Sequence, residues 1–442
     1  MIIFVVLLSF YVAWNLGAND VANAMGTSVG SKAVTLRQAL IIAGVLEFTG
    51  AVLFGQEVSQ TLATKIVNPA LFATSPEVLL VGMISVLLAG GLWLQIATAR
   101  GLPVSSSHAI VGAIAGFSAT AIGTQAIDWA SIGKITIAWI ITPLVSGTIS
   151  ALFYSQVKRW ILEQSDPLQQ LVEWIPWLSA ALISVFGVIV LPVVSQPIYA
   201  FLTQRWGFHL PAHDVPLTIG AFAAVGLTLN SWKVASGEWR GASGEWRVAS
   251  GDEGVARGEG RGASGFSPPA SAAYLVEKTL ARYQLLSACF VAFAHGSNDV
   301  GNAIAPLAAI AYINRTGNVP LNGITIPVWI LILGGAGIVA GLAVWGKKVI
   351  ATIGEGIIPL QPSGGFCAEL ATATTILLAS RLGLPVSTSH ALVGGVVGIG
   401  LVQNIKSIQF KTVQGILAAW LITVPISAGL GASIFAIARL FL

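Results

Sequence analysis

Two polar motifs, each written twice, constrain this chain more than any other feature. GANDVANA at Gly17–Ala24 returns as GSNDVGNA at Gly296–Ala303, identical at 6 of 8 positions. GLPVSSSHAIVGAIAG at Gly101–Gly116 returns as GLPVSTSHALVGGVVG at Gly383–Gly398, identical at 11 of 16. The offsets between copies, 279 and 282 residues, nearly agree, and the motifs keep their order. Chance does not produce that. The chain is two related halves, residues 1–155 and 283–442, separated by extra material. Both motifs set polar groups inside apolar runs, where an unpaired one is costly.

The runs themselves define the class. Charged residues make up 9% of the chain and hydrophobic ones 55%, whereas soluble domains carry roughly a quarter charged. Apolar stretches long enough to cross a bilayer core recur near Ile2–Asn15, Leu36–Phe54, Val78–Ala99, Ile132–Tyr154, Ile175–Leu202, Pro216–Leu229, Leu285–Ile313, Ile326–Trp345, Gly364–Ser380 and Val413–Leu442. The expectation is an all-α polytopic membrane protein of about 10–12 transmembrane segments, multi-pass in the cell (inner or plasma) membrane. The alternating polarity of an outer-membrane barrel is missing. The amino terminus does not read as a cleavable signal, lacking a basic flank and a clean small-residue site. Cys289 and Cys367 sit in apolar stretches and suggest neither a disulfide frame nor a zinc site. The small net charge of +4 gives no basis for a nucleic-acid partner.

Between the halves, residues 156–230 open with QVKRWILEQSDPLQQLVEW, an amphipathic stretch with Trp160 and Trp174, and with Trp177 just beyond, suited to the membrane interface, followed by further apolar spans. Residues 231–282 hold VASGEWRGASGEWRVASGDEGVARGEGRGASG, a composition that cannot bury a core and reads as a disordered loop. Lys32 and Arg37 mark a basic short loop, which the positive-inside rule places in the cytoplasm, leaving the amino terminus outside. The tract over 231–282 carries seven Lys and Arg, which favours the cytoplasm again. The second half then starts inside and the repeats are inverted.

In the first motif, Asn19 and Asn23 lie one helical turn apart with Asp20 beside them, and Asn298, Asp299 and Asn302 repeat the set. A carboxylate in the membrane is tolerated where it faces a cavity, a partner or an ion. Asp and Asn oxygens are hard ligands for a small cation, and Asn amides can donate to an anion. Interhelical hydrogen bonding is the plain alternative. Gly17, Gly26, Gly296 and Gly301 either let helices approach closely or let a helix break.

The second motif is a helix start. Pro103 and Pro385 disfavour helix at the residue before them and suit a first turn. Ser105, Ser106 and Ser107, or Ser387, Thr388 and Ser389, follow. Free backbone N–H groups, a fractional charge of roughly +0.5 and clustered hydroxyls make an anion cradle. Ordinary capping needs one hydroxyl rather than three. His108 and His390 come next, as orienting groups for the hydroxyls or as a proton relay. Glu47 and Glu369 are further membrane acids, cation ligands or proton carriers by default. They align with Ile338 and Leu87, so they are not repeat partners. No span carries Lys or Arg near its centre, so an anion needs co-bound cations for countercharge. That dependence is coupling. It favours a symporter over a channel or an intramembrane protease built on the two aspartates.

GANDVANAMGTSVGSKAVT with GSNDVGNAIAPLA, and the paired GLPVS(S/T)SH segments, resemble the inorganic phosphate transporter (PiT) family across both halves. That resemblance implies inverted repeats with discontinuous helices in two re-entrant hairpins, and inorganic phosphate bound near mid-membrane. It implies phosphate on Ser105, Ser106, Ser107, Ser387, Thr388, Ser389, Asn23 and Asn302, and Na+, or H+ in its place, at Asp20, Asp299, Asn19, Asn298, Glu47 and Glu369. It implies a secondary transporter and not an enzyme, with no cofactor beyond the coupling ion; hydroxyl and amide donors read shape and charge, so proton-coupled transport of phosphate or of another tetrahedral oxyanion, arsenate or sulfate, is the alternative. The bilayer is its partner, and a homodimer is compatible with the fold.

Overall fold

The computed structural model describes residues 1–195, 201, 214–249, 270–321 and 323–441. The first half supplies α1 (Ile2–Gly30), α2 (Leu36–Phe54), α3 (Gln56–Thr64), α4 (Pro76–Ala99), α5 (Ser106–Ala121) and α6 (Trp129–Val157). The middle supplies α7 (Pro167–Ile189), the short α8 (Leu191–Val194) and α9 (Asp214–Ala249). The second half supplies α10 (Ala270–Thr316), α11 (Val328–Gly356), α12 (Pro362–Arg381), α13 (Thr388–Gln403) and α14 (Phe410–Ala438). No strand forms among the described residues; Val67 and Ile127 make an isolated bridge. Eight helices there are long and apolar enough to cross a membrane. The chain is a multi-pass integral membrane protein.

Two compact units divide the chain, Met1–Ala151 with Gln284–Leu442, and Leu152–Tyr283. In the smaller unit the Asp166 carboxylate caps α7 by accepting the Gln169 N–H at 3.1 Å, and Trp160 stacks on Trp174. The Tyr283 hydroxyl lies 2.8 Å from that of Ser179 and 3.1 Å from that of Ser231. The expected disorder over 231–282 needs correction at both ends, because α9 runs to Ala249 and α10 begins at Ala270. Residues 250–269 lie outside the described residues, as do those at the end of the Ile175–Leu202 span.

In the larger unit, helix registers fix the relation between the halves. Along α1 and α11, Ala13 meets Gly337, Trp14 meets Gly341 and Val21 meets Gly346, numbers rising together. These helices are parallel. Along α2 and α10, Glu47 meets Gly296 and Val300 meets Gly55, so these are parallel too. Along α2 and α11 the numbers oppose: Leu40 meets Gly346 and Phe48 meets Gly335. Hence α1 and α10, which carry the two copies of the first motif, run in opposite directions. The repeats are inverted.

The same packing recurs residue by residue. Gly17 abuts the Ile338 carbonyl as Gly296 abuts that of Glu47, and Gly50 abuts the Phe293 carbonyl as Gly341 abuts that of Trp14. Glu47 therefore holds the place of Ile338, as the alignment expects. The helix runs unbroken from Ile2 to Gly30, so Gly17 serves close approach.

The second motif ends one helix and starts another. Gly101 and Gly383 take left-handed φ values of 66° and 64°. The next N–H groups reach back, Leu102 to Ala97 O and Leu384 to Ala379 O, each at 2.9 Å, a glycine-dependent helix stop. After the proline, α5 and α13 begin. Each has 16 residues, about 24 Å at 1.5 Å per residue, short of a bilayer core of roughly 30 Å. Both fold back as hairpins on α4 and α12: Gly82 meets Phe117 while Gly90 meets Ile110, and Gly395 meets Ala368 and Thr372. Each short helix then packs on the last helix of the other half, Gly116 on Ala428 and Gly394 on Pro143. Nothing lies within 4 Å of where a Cβ at Gly101 would sit, so Gly101→Ala isolates backbone strain. We expect it to lower stability by about 1–2 kcal/mol, read as a lower thermal midpoint in detergent.

Candidate functional site

The first asparagine of each motif holds its own hairpin. Asn19 Nδ2 donates to Thr98 Oγ1 at 2.9 Å and to Leu102 O at 3.4 Å. Asn298 Nδ2 donates to Ser380 Oγ at 3.0 Å and to Leu384 O at 3.1 Å. The second asparagine crosses to the other half. Asn23 Nδ2 reaches Thr388 Oγ1 at 3.4 Å besides Asp20 Oδ1 at 3.0 Å. Asn302 Nδ2 reaches Ser106 Oγ at 3.3 Å and Ser107 Oγ at 3.2 Å. One spacing thus stitches each acid-bearing helix to both hairpins.

The hydroxyls divide their work by position. Ser105 Oγ accepts the His108 N–H and Ser387 Oγ that of His390, each at 3.3 Å. These are helix caps. Ser107 Oγ donates to Val386 O at 2.9 Å, joining the two helix starts, and Ser389 pairs with Ser387 at 3.0 Å. The middle residues, Ser106 and Thr388, face the acids and amides; Thr388 Oγ1 donates to Asp299 Oδ2 at 2.9 Å. The histidine rings turn away from the hydroxyls. His108 Nδ1 lies 3.4 Å from Trp420 O and His390 Nδ1 lies 3.1 Å from Trp139 O. The two rings meet edge to face at 4.6 Å between centroids, so equivalent residues of the halves touch.

What is left unpaired defines the centre. Asn19 Oδ1, Asp20 Oδ2 and Asn23 Oδ1 are buried without a hydrogen-bond partner, and so are Asn298 Oδ1, Asp299 Oδ1 and Asn302 Oδ1. Three acceptor oxygens in each copy therefore lack a donor. Buried oxygens of this kind are costly alone and suit a hard cation. Ligand atoms of Asp20, His295 and Asp299 lie within 4.8 Å of one another. Among the residues whose side chains are described no Lys or Arg is buried, so these side chains bring no resident countercharge of that kind to the region.

His295 is the residue that reading the sequence missed. Its Nδ1 lies 3.2 Å from Glu47 Oε1 and its Nε2 3.1 Å from Asp299 Oδ2. The visible signal is asymmetry, since the equivalent position is Leu16. Glu47 thereby joins the aspartates. Glu369 stands apart, accepting from Thr27 and Ser28 at 2.6 Å each, Ser287 at 2.7 Å and Gln284 at 3.3 Å.

Two inverted copies of a hairpin and an acid-amide helix, meeting in a buried centre, are the architecture of a membrane transporter. The chain belongs to the phosphate transporter family, whose sequence model matches residues 16–431. A Haemophilus influenzae protein named as a phosphate permease is 36% identical over 430 residues, covering 97% of this chain and 94% of that one. The chloroplastic inorganic phosphate transporter 2-1 of Arabidopsis thaliana is 38% identical over 426 residues, covering 96% and 70%. A solved structure described as a sodium-dependent phosphate transporter aligns over 100% of this chain and 99% of its own, with TM-score 0.82 and 34% identity.

Proposed function

We propose that this protein carries inorganic phosphate across the cell membrane together with Na+, by alternating access around the buried centre. The observation that carries this reading is the set of partnerless Asp and Asn oxygens beside two hydroxyl-bearing helix starts. Phosphate oxygens accept from Ser106 and Thr388, from the crossing amides of Asn23 and Asn302, and from the free N–H groups of α5 and α13. Ser105 and Ser387 shape those starts as caps, Ser107 ties the two starts together, and Ser389 pairs with Ser387. Asp20, Asp299 and the oxygens of Asn19 and Asn298 take the cations, which offset the phosphate charge. Neither ion is comfortable in the centre alone, and the mutual dependence makes the coupling.

His295 supports a second reading, proton coupling. Each ring nitrogen faces a carboxylate oxygen, and both contacts become hydrogen bonds only if the group holds one proton more than a neutral ring between two carboxylates. Glu47, His295 and Asp299 thus form a store for one exchangeable proton.

Reconstituted protein separates the readings. Radiolabelled phosphate uptake is followed in proteoliposomes with sodium and pH gradients imposed independently. Accumulation above equilibrium under the sodium gradient alone is expected. Accumulation only under the pH gradient would transfer the coupling to the His295 group. Equilibration without accumulation under either gradient would make the protein a passive pore and sink the symport reading.

A further inference from the structure

The two halves match closely around the motifs but diverge one to four helical turns away from them. Glu369 is gripped by Thr27 and Ser28 from α1 and by Gln284 and Ser287 from α10. Under the repeat offsets of 279 and 282 residues, the equivalent positions are Leu87, Pro306, Leu307, Val5 and Leu8. Every residue of both sets is buried. One set is a carboxylate fully dressed in hydroxyl and amide donors, and the five positions equivalent to it all carry apolar side chains.

These clusters flank the centre. Thr27 and Ser28 lie four and five residues past Asn23 on α1, and Pro306 and Leu307 lie equally far past Asn302 on α10. That is about 6–8 Å along each axis at 1.5 Å per residue. Because α1 and α10 are antiparallel, the displacements point to opposite faces. The Glu369 cluster lies toward the Lys32 end of α1, and its image toward the other face.

We propose that the two closures of the transport path are chemically unlike: a hydrogen-bonded latch centred on Glu369 on the Lys32 side, and an apolar plug centred on Leu307 and Leu87 on the other. Parting α12 from α1 and α10 exchanges the latch bonds for bonds to water, so each polar group keeps a partner. Parting the plug exposes leucine to water, and an apolar constriction holds by staying dry. The carboxylate also draws cations into the Lys32-side half of the path and repels phosphate that arrives without them. The inverted repeats therefore do not give equal access to the two faces; the Lys32 side hydrates first. The inference rests on the alternating-access reading, but its test reads water entry and needs no transport.

In a Cys289→Ala/Cys367→Ala background, Ser28→Cys and Leu307→Cys are each reconstituted and exposed from both sides to a charged, water-soluble thiol reagent. Sodium is present and phosphate is absent. Ser28→Cys should react roughly tenfold faster or more, the ratio that corresponds to about 1.5 kcal/mol for exposing Leu87, the plug leucine that the Leu307→Cys variant retains. Should Ser28→Cys not fold, Ser287→Cys against Leu8→Cys makes the same comparison at the next equivalent pair. Equal rates, or a faster Leu307→Cys, would overturn the latch-and-plug assignment while leaving symport untouched. Measured uptake without that rate difference has the same meaning.

Discussion

Asp299→Asn is expected to lower cation-dependent phosphate uptake on the order of a hundredfold, while the protein still reaches the membrane folded. The substitution keeps the shape and the oxygen that accepts from Thr388, so the helix start keeps its neighbour. What changes is charge. With ligand atoms of Asp20 and Asp299 inside a 4.8 Å group, two carboxylates repel by roughly 3 kcal/mol at an effective dielectric of 20. On the proposed symport, a bound cation relieves that repulsion, and the relief links cation binding to phosphate binding. Removing one charge weakens cation capture and leaves phosphate without countercharge in a region that buries no described Lys or Arg. Asp20→Asn should act in the same direction. The pair also differ usefully, because Asp299 alone contacts His295. A proton-coupled protein would then lose its pH-gradient response in Asp299→Asn and retain part of it in Asp20→Asn. Uptake by Asp299→Asn with normal sodium dependence would refute the cation assignment.

The sequence showed the chemistry of this centre more plainly than its wiring. Duplication exposed Asn19, Asp20 and Asn23 with their copies, because a polar motif written twice in apolar sequence has no cheap structural cause. It also exposed the helix starts, since Pro103 followed by three hydroxyls is a local signal. The crossing of Asn23 to Thr388 and of Asn302 to Ser106 was not legible. It depends on two inverted halves packing together, and no local pattern encodes a partner 365 residues away. Repetition does not mark His295, because its image is Leu16. The role of Gly101 was equally hidden, since a left-handed φ of 66° appears only once the helix stop is built. The tract over 231–282 misled in the other direction. Composition measures burial capacity, and helix nonetheless continues into the tract from both ends.

Gly17→Leu is expected to cost about 3 kcal/mol, by a route that reading contacts one at a time would understate. Even a methyl group at Gly17 would overlap the Ile338 carbonyl and its neighbours, which are backbone atoms of α11 and cannot swing aside. The helices must separate or slide. Separation along α1 also moves Asp20, which lies within one turn of Gly17, away from Asp299 and His295. Stability and cation binding should therefore fall together, and Gly296→Leu, facing the Glu47 carbonyl, should reproduce both effects. Gly133 is the control: it lies in α6 with nothing within 4 Å of its would-be Cβ, so Gly133→Leu should leave the thermal midpoint nearly unchanged. Size-exclusion profiles of detergent-solubilised protein after stepwise heating provide the measurement. A Gly17→Leu protein as heat-resistant as Gly133→Leu would mean that α1 and α11 are not in backbone contact, and the helix registers that establish inversion would lose their footing.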